Sequence, residues 1–71
     1  MNRYLVVLEP AAGNWAAFSP DLPGCVATAA TREKVVDEMR AAVAFHLEGL
    51  KAEGLPVREP TSSAEYLSVP A

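Results

Sequence analysis

The sequence predicts a small α+β domain of order β-β-β-α-β, and three observations carry the prediction. Three short apolar stretches, residues 4–8, 15–18 and 25–29, are separated by links that contain proline or glycine. Beyond Thr31 the apolar residues change to helical spacing and hold it for about twenty positions. A last segment, 65–69, alternates polar and apolar residues after a proline-rich connector. Strands joined by tight links form an antiparallel meander, and a strand that returns after the helix completes the order.

The first strand is expected over residues 3–9. Tyr4, Leu5, Val6, Val7 and Leu8 are consecutive apolar residues, the pattern of a strand buried on both faces. Tyr4, Val6 and Leu8 then point one way, Leu5 and Val7 the other. Residues 10–14 contain Pro10, Gly13 and Asn14 and read as the loop of a hairpin. The chain returns through Trp15, Ala16, Ala17 and Phe18. Alanine is a poor strand former, so packing has to decide this element.

Residues 20–24, Pro-Asp-Leu-Pro-Gly, form a rigid corner. Pro20 and Pro23 each set φ near about −65° and remove a backbone donor, while Gly24 permits the positive φ of a reversal. Asp21 is held at the tip, where an Asx residue most simply accepts N–H bonds of its own turn. A third short strand follows over residues 25–29.

Thr31 is a good N-cap, and Glu33 in the first turn complements the helix dipole. Lys34 at the third helical position means that a full capping box is absent. Val35, Val36, Met39, Ala42, Val43, His46, Leu47 and Leu50 share one wide stripe that should lie on the sheet. Gly54 suits the position just past the helix end, and Pro56 prevents continuation. Phe45 falls away from the stripe. It is covered by the tail, or simply exposed, or an anchor between subunits.

The connector 55–63 is rich in proline and hydroxyl side chains and should be extended. Residues 65–69 read as a fourth strand, paired either with the chain's own sheet or with the edge of another subunit.

Length limits what such a fold achieves alone. A chain of 71 residues buries only about 60% of its unfolded surface. With 51% apolar residues a packed core is nevertheless expected in a single domain, residues 1–71. Cys25 is the sole cysteine, so no intrachain disulfide can staple the core, and homo-oligomerisation is the expected source of extra burial. No apolar run approaches the roughly 18 residues of a membrane span, and no signal-like N-terminus is present, so a soluble cytoplasmic protein is expected.

Nine acids against six bases give a net charge of −3. The bases are scattered among acids, whereas direct binding to DNA or RNA calls for a basic cluster, so nucleic acid is not an expected ligand. A basic protein partner fits the charge better.

No catalytic constellation is apparent. Asp21, Asp37 and Glu38 are separated in the predicted fold, and the first strand carries only Glu9 at its end, against the convergent acids of a two-metal site. His46 lies on the apolar helix face and reads as a packed histidine. Cys25 reads as a buried thiol without a neighbour to activate it. Trp15 reads as core packing or the lid of the hairpin ahead of a partner hot spot. No cofactor or metal is expected, and the chain is not expected to be an enzyme.

Residues 4–8, the run Ala17-Phe18-Ser19-Pro20-Asp21-Leu22-Pro23-Gly24-Cys25, Thr31-Arg32-Glu33 with its helix, Gly54-Leu55-Pro56 and Glu59-Pro60 together resemble the HicB antitoxin family. The resemblance spans nearly the whole chain in order and spacing. It implies a partial ribonuclease-H-like fold and a partner, a small basic RNA-cleaving HicA-type toxin whose active site the antitoxin covers. Within that reading Asp21, Leu22 and Trp15 are candidate partner contacts and Phe45 a candidate oligomer contact. Solo relatives without a toxin, acting as oligomeric scaffolds or small-ligand-binding domains, are the alternative. Two departures stand out. Ala29-Ala30 replaces the Gly-Asp pair frequent before the capping threonine, and no DNA-binding extension follows the domain, so operator binding by this chain is not expected.

Overall fold

Turn chemistry sets the register of the sheet. In the computed structural model, which describes residues 3–70, Gly13 takes φ of +76° and closes a hairpin with only Ala12 and Gly13 between Ala11 and Asn14. Strand β1 (Val7–Ala11) therefore pairs with β2 (Asn14–Phe18) from Ala11↔Asn14 to Val7↔Phe18. Strand β3 (Val26–Ala29) pairs on the other side of β2, giving an antiparallel sheet of order β1-β2-β3.

The first strand is displaced from its expected bounds of 3–9. It continues through Pro10 because β1 is an edge strand, where a missing N–H interrupts no ladder. It begins only at Val7 because β2 ends at Phe18, the partner of Val7. Ser19 then turns away, and its Oγ donates to the Leu5 carbonyl at 2.8 Å. Cys25 stays outside β3 because its N–H is already donated to the Leu22 carbonyl at 3.0 Å.

Helix α1 (Arg32–Ala52) forms as the spacing predicts. The Lys34 N–H donates to Thr31 Oγ1 at 3.1 Å, closing the N-cap. At the other end Gly54, with φ of +69°, donates to the Lys51 carbonyl and Leu55 to the Leu50 carbonyl, the paired bonds of a Schellman motif.

Register places Leu8, Ala17 and Ala27 in one row and Pro10, Trp15 and Ala29 in the next, all on the face that α1 covers. The alanines that weaken strand propensity are small where Val35 and Met39 enter, so packing does decide β2. The buried core is Ala17, Leu22, Cys25, Val35 and Met39. The opposite face carries the row Val7, Phe18 and Val26, which no element covers, and Val26 is well exposed. β1 is thus half-buried rather than buried on both faces, because there is one helix for two faces.

The fourth strand expected over residues 65–69 does not form. That segment has no ladder partner, and Tyr66, Leu67 and Val69 are exposed. Its alternation promised a strand, but Tyr66 only borders a hollow beside Leu5, Val7 and Trp15 and, like Leu67 and Val69, stays exposed. The projecting tail lengthens the molecule: the radius of gyration is 13.9 Å, against about 11 Å for a compact chain of this size.

Leu22 reaches the core from a loop, and its removal tests how far the corner holds the fold. Leu22→Ala should cost about 2–5 kcal/mol, a large share of the marginal stability of a small domain. Urea unfolding followed by Trp15 fluorescence should show a lowered midpoint with an unchanged slope.

Candidate functional site

The corner between β2 and β3 is where distant parts of the chain converge. Two successive turns build it, with the Leu22 N–H on the Ser19 carbonyl at 3.1 Å and the Cys25 N–H on the Leu22 carbonyl. Gly24 takes φ of +83° to complete the reversal. This geometry sends Leu22 into the core beside Val35 and Met39 and turns Asp21 toward the connector.

Asp21 is only 5% exposed, yet its carboxylate is fully engaged. Oδ2 accepts the N–H groups of Thr61 at 3.1 Å and Ser62 at 3.0 Å. Oδ1 accepts the hydroxyls of Thr61 at 3.2 Å and Ser62 at 3.0 Å. The Ser62 N–H is the chief reason that the carboxyl lies below its usual range; the other three donors act in the same direction, and burial opposes them. A second tie runs from the Tyr4 hydroxyl to the Arg58 carbonyl. Together the two ties hold an otherwise irregular connector against the start of the chain.

The expectation that Asp21 caps its own turn is thereby corrected. The turn's N–H bonds go to backbone carbonyls, and the carboxylate crosses about forty residues of sequence to the tail. Leu22, a candidate partner contact, is a core residue with almost no exposed surface. Trp15 is half-buried against the core. Sequence spacing alone does not reveal the Asp21 tie, although Thr61 and Ser62 following Pro60 supply its donors.

The remaining chemically capable groups are dispersed. Burial raises the pKa of the Cys25 thiol, which favours the unreactive protonated form. His46 is half-buried in the helical stripe, beside Phe45, Val26 and Leu50 in a shallow depression. Asp37 pairs with Arg40 at 3.4 Å across one helical turn, both exposed. Among the described residues no three His, Cys, Asp or Glu side chains gather in a way that could hold a metal ion. Phe45 is 79% exposed. The tail does not cover it, and of the three readings that the sequence left open the first is removed.

A carboxylate held by four donors makes the tie dependent on pH. Because the folded pKa is lowered, the contribution is complete above the unfolded value near ~3.9 and is lost as pH falls through the folded value. Protection of the Thr61 and Ser62 amides, measured as exchange relative to the intrinsic rate at each pH, should fall on acidification below about pH 4, and Asp21→Asn should lower it already at neutral pH. Far-UV dichroism of α1 should be unchanged in the variant.

Comparison with known proteins gave one informative result. No curated protein and no solved structure matched the chain. No helix among the described residues is long and apolar enough to cross a membrane. The family model described as "HicB_like antitoxin of bacterial toxin-antitoxin system" matches residues 4–71, which takes in the meander, the corner, the helix and the tied connector. The chain belongs to the HicB-like antitoxin family.

Proposed function

We propose that this chain is the antitoxin of a two-protein toxin–antitoxin module and neutralises a small, basic, RNA-cleaving HicA-type toxin by covering its active site. Membership of the antitoxin family supports the role, and the net charge of −3 suits a basic partner. On this reading the chain is a single cytoplasmic domain that performs no chemistry of its own. The meander followed by one helix is read as the opening part of a ribonuclease-H-like fold.

The observation that carries the choice of surface is Phe45. Its exposed ring stands on the flank of α1 beside Val26, with Ala41 and Gly49 one turn away on either side, residues too small to screen it. Glu38 and Glu48 lie two turns before it and one turn after it on the same side. An aromatic knob between acids is the arrangement expected of an anchor for a basic partner. Asp21 and Leu22 contribute indirectly, by holding the corner and the connector; Trp15 supports the sheet from the covered face.

A second reading rests on the same ring: Phe45 joins copies of a solo oligomer that has no toxin. One substitution separates the two. Phe45→Glu should weaken co-purification with a small basic protein encoded next to this chain, costing about 2 kcal/mol or more, roughly thirty-fold in Kd. The chain's own mass by light scattering should be unchanged. A fall in that mass with toxin binding intact would assign the ring to self-association instead.

A further inference from the structure

We propose that residues 64–69 of one copy dock in the groove between residues 3–8, the segment that leads into β1, and α1 of a second copy, and that the exchange is reciprocal. The groove has a volume of about 650 Å³. It exists because α1 lies chiefly over β2 and β3, so the edge of β1 and the neighbouring side of the helix are left open. Val6, Leu8, Met39, Val43 and Leu47 make its floor. Arg3 and Arg40 stand on its rim. None of residues 55–70 lines it.

The tail has the complementary chemistry. Tyr66 is fully exposed, Leu67 77% and Val69 74%, a loss of burial that a chain of this size can ill sustain. In an extended segment alternate side chains share a side, so Glu65, Leu67 and Val69 point together. Laid beside the unpaired β1 edge, Leu67 and Val69 meet the apolar floor and Glu65 meets the arginine rim.

Charge favours this occupant over a basic one. Arg3 and Arg40 rim this groove in a net acidic chain and, although Arg40 also pairs with Asp37, the rim suits an acidic, apolar strand better than a cationic toxin. The chain's own tail runs past the groove without lining it. The Tyr4–Arg58 and Asp21–Thr61–Ser62 ties fix its course, and Ala64, Glu65 and Tyr66 border an adjoining hollow that shares Val6 and Leu8 with the groove and adds Leu5, Val7 and Trp15. A second copy, related by a two-fold axis, places both tails in both grooves and closes the assembly. Phe45 does not line the groove, so this contact is independent of the toxin surface.

Light scattering on the whole chain tests the exchange. The wild type should have twice the 7.5 kDa mass of one chain. A tail variant, Leu67→Asp with Val69→Asp, and a groove variant, Arg3→Glu with Arg40→Glu, should each fall to the mass of one chain while keeping their helical dichroism. Mixed together at high concentration, they should regain a weaker dimer through one of the two contacts, because one supplies an intact groove and the other an intact tail. A monomeric wild type would overturn the proposal, and protected amides over residues 65–69 would then assign the groove to the chain's own tail. A dimer that survives both variants, or a mixture that stays monomeric, overturns it equally. Toxin capture by the tail variant, measured in parallel, keeps this outcome separate from that of the antitoxin assignment.

Discussion

A sheet has two faces, and this chain supplies one helix to cover them. Helix α1 buries Val35 and Met39 against Ala17 and leaves the row Val7, Phe18 and Val26 without cover. The small side chains of Ala17, Ala27 and Ala29 bring the helix close, which thickens no core but excludes water from it. Most of what is unusual about the molecule follows from this shortage of apolar cover. A loop residue, Leu22, fills the core, and the connector is fastened by polar bonds in place of apolar packing.

The Asp21 tie shows how a carboxylate can be internal without a cationic partner. Four N–H and O–H donors from two adjacent residues replace the water it gives up, and no buried side-chain polar atom among the described residues is left unpaired. Such a bond set is directional, so it determines where the connector lies as well as whether it is held. The launch point of the tail is consequently defined even though its last residues carry no ladder bonds.

Two exposed surfaces of different character stand out on this small domain. An exposed ring on the flank of α1 near Val26 and an arginine-rimmed groove between residues 3–8 and α1 are on different parts of the molecule and have different charge character. Antitoxin function asks for one surface to engage a partner while the fold is stabilised through another, and a domain this small has limited area for both. If both proposed contacts form, their different charge character lets each do so without competing with the other.

The sequence by itself determined the helix, its caps and its buried stripe, because these depend on residues within one or two turns of each other. It also determined the presence of the meander, since glycines and prolines mark each reversal, and the family, since the corner motif and the capped helix occur at telling spacing. Only the tertiary structure decided the strand bounds, which depend on where the partner strand stops, as Phe18 stops β1 at Val7. The same holds for Asp21, whose donors lie forty residues away, for Leu22, whose turn aims it inward, and for residues 65–69, whose alternation offers a strand that pairs only where an edge is within reach. Local bonds are written in adjacent letters; the outcome of pairing and burial depends on which remote surfaces the folded chain brings together.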